Sequence, residues 1–359
     1  MPEKILFNLI EIEIIKQKLI ESIFLIHKRK KNPEITVLMS VYNGQNWLTQ
    51  SINSVLTQTF TDFEFLIIDD GSIDKSFEIM QSFKKKDLRI RILKKPNSGL
   101  TDSLNYGLKK AKGNWIARID SDDLCRSNRL KKQIELAHKD KSIILIGSGL
   151  QLIDENGAHG KTYFYPESSD KLKRQIYEGR GFFPHSSAFI RADKLRKVGG
   201  YRSRFKRSQD QDLWLRLSEI GLIACIKEPL VFIRKHPSQL SNQDLGFMQT
   251  LYSQLAMTSY HLRQLNNPDP IFDHDTQKFE KFYDFVNRYL TDNSQFQVKS
   301  MIENIKITIQ NKETLLKKKI ALFKLFLNNP KCFIIAIFNI LYKPNISYKI
   351  ALTWIAYNR

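Results

Sequence analysis

Ile35-Thr36-Val37-Leu38-Met39-Ser40-Val41, followed at once by Tyr42-Asn43-Gly44, decides how the rest of the chain is read. A short, nearly continuous apolar run that stops at a polar turn is the pattern of a strand buried on both faces. The unit recurs downstream. Phe63-Glu64-Phe65-Leu66-Ile67-Ile68 ends at Asp69-Asp70-Gly71-Ser72, residues 90–94 form a third strand, and residues 115–119 form a fourth that ends at Asp120-Ser121-Asp122-Asp123. Residues 47–57, 74–84 and 100–111 between them have helical periodicity. Strand–helix alternation of this kind predicts a parallel sheet of βαβ units, an α/β fold. Ligands of such sheets sit beyond the carboxyl ends of the strands. Here three of those ends carry unusual polar sets.

Further along, strands are expected at 143–153, 182–190 and 230–234, with a turn at Asp154-Glu155-Asn156-Gly157 and a helix at 211–220. Beyond His236 the pattern is helical, over 245–265, 278–290 and 297–309, broken at Pro268 and Pro270. The predicted organisation is an amphipathic N-terminal helix (1–33), a central α/β region (34–241) and a helical C-terminal region (242–359). The N-terminal helix ends in His27-Lys28-Arg29-Lys30-Lys31, a run suited to a helix C-terminus. It reads equally as docked on the body or laid on a membrane surface. Residues 332–342 are almost wholly apolar, but eleven residues fall short of the ~20 that span a bilayer, so no transmembrane segment is expected.

Composition narrows the classes. The 359 residues are 42% hydrophobic and 26% charged, enough to bury a core and incompatible with wholesale disorder. Cys125, Cys225 and Cys332 are odd in number and far apart, which excludes a disulfide scaffold or zinc ribbon and fits a reducing compartment. Lys and Arg total 57 against 37 Asp and Glu, a net charge of +20, so a polyanionic partner is expected. The charge is densest in the tail, where eleven Lys/Arg stand against two Glu from residue 299 onward, interleaved with apolar side chains. That arrangement suits an anionic membrane surface better than a nucleic acid. A non-enzymatic nucleic-acid-binding protein would rest on the charge alone, without a recognition helix or zinc pattern. A nucleotidyltransferase would carry a basic, Gly-rich loop after the first strand, whereas here that loop is Tyr42-Asn43-Gly44-Gln45-Asn46.

Three polar clusters carry chemistry. Asp120, Asp122 and Asp123 repel one another unless a cation is present, and hard divalent ions favour such oxygen ligands. The competing reading is a polar turn before a helix. Asp69 and Asp70 can accept N–H bonds from a heterocycle or cap a helix. Gln209-Asp210-Gln211-Asp212-Leu213-Trp214 opens a helix late in the chain. Asp210 is the candidate general base, and Asp212 fits a helix cap equally well. Trp214 stacks on an acceptor sugar or belongs to the core. His185 faces the cleft or caps a strand, with the cap preferred. Lys94 and Lys95 are read as ion-pairing residues near the crevice.

Taken together, these segments resemble family 2 glycosyltransferases. The likeness is carried by Val37–Gly44, by Ser51-Ile52-Asn53-Ser54-Val55-Leu56-Thr57-Gln58-Thr59-Phe60, by Ile67–Ser72, and by Asn97-Ser98-Gly99-Leu100-Thr101. It continues through Leu104-Asn105-Tyr106-Gly107-Leu108, Ile116–Asp123, His185–Arg191, Val198-Gly199-Gly200-Tyr201 and Gln209–Leu217, and spans about residues 35–241. The resemblance implies a GT-A type, Rossmann-like fold with a helical C-terminal extension. It also implies an inverting transfer of sugar from a nucleotide-diphospho-sugar, UDP-linked by likeness, to a glycan or lipid-linked acceptor in surface polysaccharide synthesis. Val41, Tyr42, Asn43, Asp69, Asn97, Gly99, Asn105, Arg118, Asp120 and Ser121 would bind the donor. Asp122, with Asp120 and His236, would hold Mn²⁺ or Mg²⁺. Asp210 would be the base, with Gln209 and Trp214 beside the acceptor. The enzyme would sit peripherally on the inner, cytoplasmic face of the membrane, with no nucleic-acid partner. Two departures stand out: Gln209 replaces the Glu common in the family, which bears on acceptor orientation, and Ser40 stands where Pro is frequent.

Overall fold

The computed structural model describes residues 32–179, 182–237, 239, 247–272, 275–292 and 346–358. The N-terminal helix read over 1–33 lies outside the described residues except for its last two. So do the segments 297–309 and 332–342, the latter including Cys332.

The first half follows the predicted alternation. β1 (Ile35–Val41), α1 (Leu48–Leu56), β2 (Phe63–Asp69), α2 (Ser76–Lys84), β3 (Ile90–Lys94), α3 (Leu100–Lys110) and β4 (Trp115–Arg118) form the parallel set β3-β2-β1-β4. Every residue of β1 and β2 is buried. The alternation of side chains along a strand then feeds two cores. Ile35, Val37, Met39 and Val41 face α1 and α2 through Leu48, Ile52 and Met80. Leu38, Leu66 and Ile68 face α3 on the other side of the sheet. A Cβ on Gly107 of α3 would stand 2.4 Å from Leu38 Cδ1, so a side chain there would push this helix off the sheet.

The second half departs from a purely parallel sheet. It contains β5 (Leu124–Cys125), α4 (Arg129–Lys139), β6 (Ile143–Ile153), β7 (His159–Tyr163), α5 (Ser169–Tyr177), β8 (Phe189–Arg191), α6 (Ala192–Lys197), α7 (Gln209–Ser218) and β9 (Leu222–Arg234). The described residues form a nine-stranded mixed sheet ordered β3-β2-β1-β4-β8-β6-β9-β5, with β7 paired to β6. β8 is antiparallel to both β4 and β6, and β5 is antiparallel to β9. The five-residue link 154–158 between β6 and β7 is too short for the crossover that parallel pairing needs, and these two strands pair antiparallel. Because β6 and β9 pair in parallel, both run in the direction of β4. The end of β9 therefore reaches the same edge as Asp120–Asp123.

The strand expected over 182–190 is instead a 3₁₀ turn, His185–Ser187, before the short β8. Pro184 starts the turn, accepting hydrogen bonds at its carbonyl from both the Ser187 N–H (2.9 Å) and the Ser187 hydroxyl (2.9 Å). These local bonds compete with sheet pairing. The strand expected at 230–234 begins earlier, at Leu222. Beyond it lie α8 (Phe247–Gln264), α9 (Thr276–Asp292) and α10 (Ile346–Tyr357). Leu251, Leu255, Phe282 and Trp354 from these helices share one core with Leu213 and Trp214 of α7. That explains why α7 is buried from Gln211 through Ser218. No helix among the described residues is long and apolar enough to cross a membrane.

Candidate active site

The carboxyl ends of β1 and β2 are tied together by their turns. Asn43 has a left-handed backbone (φ 51°). Its N–H donates to the Ser72 hydroxyl (3.1 Å), and its side-chain oxygen accepts the Ile73 N–H (3.0 Å). Tyr42 projects beside it, 52% exposed. Asp69 is fully buried. One of its oxygens accepts the Ser72 N–H (3.0 Å), while Oδ2 has no hydrogen-bond partner and lies 3.9 Å from the Lys94 ammonium. Its neighbour Asp70 is a clamp. It accepts the N–H groups of Ser98 (3.0 Å) and Gly99 (2.9 Å) and pairs with Lys95. Asn97 and Gly99 are exposed on the loop that Asp70 holds. Gly71 lies against that loop at φ +76°, where a Cβ would be 2.8 Å from the Asn97 nitrogen. Lys94 and Lys95 thus both pair with acids, as read from sequence, although Lys95 is an internal brace rather than a surface charge.

The acidic turn after β4 is organised from below. Arg118 is fully buried and pairs with Asp120 through Nη2, while its Nε and Nη1 have no partner. The Ser186 hydroxyl lies 2.8 Å from Asp120 Oδ2 and also bonds Asp123. Burial pushes the Asp120 carboxyl up, but Arg118 and Ser186 outweigh it and hold it below its ordinary range. Asp123 receives the Arg234 N–H at 3.0 Å. Burial, then the charges of Asp122 and Asp120, lift Asp123 well above the usual carboxylate value. Asp122 is raised by the same two causes, burial and Asp120. Its Oδ2 meets His236 Nε2 at 2.9 Å, and the His236 ring lies against Trp47, tilted by 31° with centroids 4.0 Å apart. Ser121 lies against Gly44, its hydroxyl 3.3 Å from where a Cβ there would be. The fully buried Arg234 guanidinium fixes the turn through the Asp122 carbonyl (2.9 Å) and Gln50 (2.7 Å).

Opposite this turn is the start of α7. Asp210 is partly exposed, and its Oδ1 accepts the Gln211 N–H at 2.9 Å. Burial, reinforced by Asp120 and opposed by Arg118, pushes its carboxyl up to about 6. His185 Nε2 and the Tyr201 hydroxyl are 2.7 Å apart. Burial, with Arg118 adding to it, lowers His185 to about 3, so this ring is neutral at physiological pH. Burial raises the Tyr201 phenol. Asn105 commits both ends of its amide to the Tyr201 backbone, donating to the carbonyl (2.7 Å) and accepting the N–H (2.9 Å).

The structure therefore gathers Val41, Tyr42, Asn43, Asp69, Arg118, Asp120, Ser121, Asp122 and His236 along one sheet edge, with Gln209 and Asp210 across from them. It removes two residues from direct contact. Asn105 holds Tyr201, and Trp214 is fully buried in the core, against Phe183 and His185 (ring centroids 5.7 and 6.0 Å). The indole stands four residues after Asp210, where the helix is buried on every side, and it packs inward with Leu213 and Leu217. Asp212 does not cap α7 but pairs with Arg216 one turn on (2.7 Å). Sequence reasoning gave no role to Ser186, Tyr201 or Arg234 and assigned His185 to a strand end. The Pro184 turn and the consecutive positive-φ glycines Gly199 and Gly200 are the signals that precede His185 and Tyr201. A separate groove of about 850 Å³, lined in part by Asn53, Thr57, Arg126 and Phe232, contains none of the site carboxylates.

The profile of Glycosyl transferase family 2 matches residues 36–199, the segment that carries both polar sheet ends and the acidic turn. The chain is 36% identical over 186 residues to the O-antigen biosynthesis glycosyltransferase WbnJ of Escherichia coli, covering 51% of this chain and 71% of that protein. The chain belongs to glycosyl transferase family 2. A second relative, EpsE of Bacillus subtilis (strain 168), described as a glycosyltransferase, is 35% identical over 195 residues, 53% of this chain and 68% of its own. Among solved structures, S. aureus TarS 1-349 in complex with UDP-GlcNAc aligns with a TM-score of 0.54 at 16% identity, covering 90% of this chain and 92% of that one. Its likeness is one of fold, GT-A in type, and extends through the helical C-terminal part. This family 2 glycosyltransferase is thus an enzyme with the α/β fold expected from its strand ends.

Proposed function

We propose that this glycosyltransferase moves a sugar from a UDP-sugar to a glycan or lipid-linked acceptor in surface-polysaccharide synthesis, with inversion at the anomeric carbon. The observation that carries the reading is Asp210: a carboxyl at the start of α7, pushed up to about 6 by burial and by the charge of Asp120, which pairs with the buried Arg118. A base poised near neutral pH can take a hydroxyl proton and still be ionised when it is needed. Support for the donor comes from the TarS structures with UDP and UDP-GlcNAc, which share this fold. Support for the pathway class comes from WbnJ, named for O-antigen biosynthesis.

In the proposed reaction, Asp210 accepts the proton of an acceptor hydroxyl as that oxygen attacks the anomeric carbon. The new C–O bond forms as the bond to the diphosphate breaks, and UDP leaves with the electron pair from the opposite face. No covalent glycosyl-enzyme is required. Asp69, whose buried Oδ2 lacks a hydrogen-bond partner, suits an N–H of the base, and the exposed Tyr42 suits its face. Asn97 and Gly99 lie where the donor's ribose and phosphates would pass.

The donor set fits a divalent cation of the Mn²⁺ or Mg²⁺ type. Asp122 is frustrated by burial and by Asp120, and His236 already meets its free oxygen. No cluster of three protein ligands occurs among the described residues, so the fit is an open, two-ligand site of Asp122 and His236. Asp120 is committed to Arg118 and Ser186. When bound, the cation supplies positive charge for the diphosphate that departs. We place the enzyme peripherally at an anionic membrane through its basic tail.

The test is a panel of nucleotide sugars with and without Mn²⁺, read by release of nucleoside diphosphate and by thermal shift with UDP. We expect Mn²⁺-dependent UDP release from one UDP-sugar. Absence of both release and a UDP-induced shift across the panel overturns the reading.

A further inference from the structure

Ser208 sits immediately before α7, two residues ahead of Asp210, and is 3% exposed. Its backbone is left-handed (φ 52°, ψ 24°), a conformation uncommon for a residue other than glycine. Serine at this position ordinarily caps the helix by accepting a first-turn N–H. Here it makes no such bond. Its hydroxyl turns away and donates to the main-chain carbonyl of Gln249 (3.1 Å), while the Gln249 side-chain amide donates back to it (2.8 Å). Gln249 belongs to the first turn of α8. The Ser208 carbonyl, held by this arrangement, accepts the Asp212 N–H (3.1 Å) that closes the first turn of α7.

The remaining ties run the same way. Asp212 faces Arg202 (3.5 Å), Arg202 bonds Asp269 (2.7 Å), and Arg263 of α8 grips Glu219 at the end of α7 (2.6 Å). Helix α7 is thus fastened to α8 at both ends. The front fastening diverts a good cap away from helix stabilisation and towards fixing one strained turn.

We propose that Gln249 is a positioning residue: by locking Ser208 in its left-handed conformation, it aims the Asp210 carboxylate. The proposal rests on Asp210 acting as the base. It makes the start of α8 part of the catalytic apparatus, although α8 contributes no group to the reacting atoms. Gln249 itself is exposed, so its truncation leaves no cavity in the core.

The experiment uses the full chain carrying Gln249→Ala, Ser208→Ala, both together, and Asp210→Asn in parallel. It reads Mn²⁺-dependent UDP release from the UDP-sugar that the wild type turns over fastest, UDP affinity by calorimetry, and deuterium uptake of residues 206–213. Each single variant is expected to lower kcat about tenfold at unchanged KM and UDP affinity, since small misplacements of a reacting group are costly. The double variant is expected to lose no more than the worse single, because the bond that Gln249→Ala removes is one of the two that Ser208→Ala already removes. Deuterium uptake over 206–213 is expected to rise in Gln249→Ala. Kcat within twofold of wild type, losses that multiply in the double variant, a change confined to KM, or unchanged uptake each overturn the proposal. Normal turnover by Asp210→Asn removes the base assignment instead, and the uptake and coupling results then still report on the Ser208–Gln249 clamp alone.

Discussion

The two sides of the cleft are built on opposite electrostatic plans. Along the ends of β1, β2 and β4, carboxylates are crowded and mostly engaged: Asp70 by two backbone N–H groups and Lys95, Asp120 by Arg118 and Ser186, Asp122 by His236. Across from them, Asp210 accepts one local backbone N–H, and the buried Tyr201 phenol lies within reach of its charge. On the first side the carboxylates remain close to one another, and burial with the charge of Asp120 raises Asp122; the proposed cation would relieve that repulsion. On the second, a partly exposed carboxylate is raised by desolvation with fewer bonds to hold it ionised. The same side chain, Asp, is a brace at position 70 and carries a raised carboxyl at positions 122 and 210, according to what surrounds it.

Breaking the second side has the largest expected effect. Asp210→Asn lowers UDP release by about 10³-fold, within the range general-base catalysis supplies, while calorimetric UDP affinity stays unchanged. The same variant tests desolvation through stability. The folded carboxyl titrates at about 6 against an ordinary 3.8, so the folded state holds a proton that the unfolded chain has lost between those values. Its contribution to stability is present at low pH and falls as pH rises through about 6. Asp210→Asn therefore raises Tm by about 2–4 °C at pH 7.5, of the size a 1 kcal/mol gain produces, and the gain vanishes at pH 4. Equal Tm values at pH 7.5 contradict the desolvation account.

Breaking the first side comes next. Asp122→Asn weakens UDP binding in the presence of Mn²⁺ by about 10²-fold, comparable to losing ligand-site organisation in metal proteins, and leaves metal-free UDP binding unaltered. Calorimetry with and without Mn²⁺ separates the two. Wild-type turnover sharpens the comparison further: with Asp210 as base, kcat falls about tenfold for each pH unit below about 6, and the midpoint is read from a pH–rate profile at saturating donor. Asp70→Asn removes one arm of the loop clamp and costs about 2 kcal/mol, as expected for bonds to a charged acceptor. Urea denaturation measures it. The smallest effect is that of Asn105→Ala, about 1 kcal/mol from the lost Tyr201 backbone bonds, with kcat reduced only severalfold.

Much of the first side was legible in sequence because it lies at the ends of strands. A buried strand announces itself as an apolar run, and the residue that ends the run is placed at the sheet edge by geometry alone. Strands 90–94 and 143–153 were found at their observed limits for that reason. What each carboxylate at the edge bonds to was not legible, since Asp69 and Asp70 differ by one position yet face different partners. The mixed half of the sheet was also hidden. β5 and β8 span two and three residues, too short to carry a periodic signal. Asn105 and Trp214 read as site residues because their segments do reach the site, but a helix has an inner face, and both point along it.

The order of strand and helix, the polar residues at three strand ends and the family membership followed from the sequence itself, because backbone periodicity and local turn chemistry are written in neighbouring residues. The tertiary structure alone decided that β9 returns His236 to Asp122, that the Pro184 turn sets His185 against Tyr201, and that α8 braces the turn before Asp210. These contacts join residues 16 to 114 positions apart. Their distances depend on how the whole sheet and its helices pack, and burial, which sets the charge state of Asp210, exists only once that packing is complete.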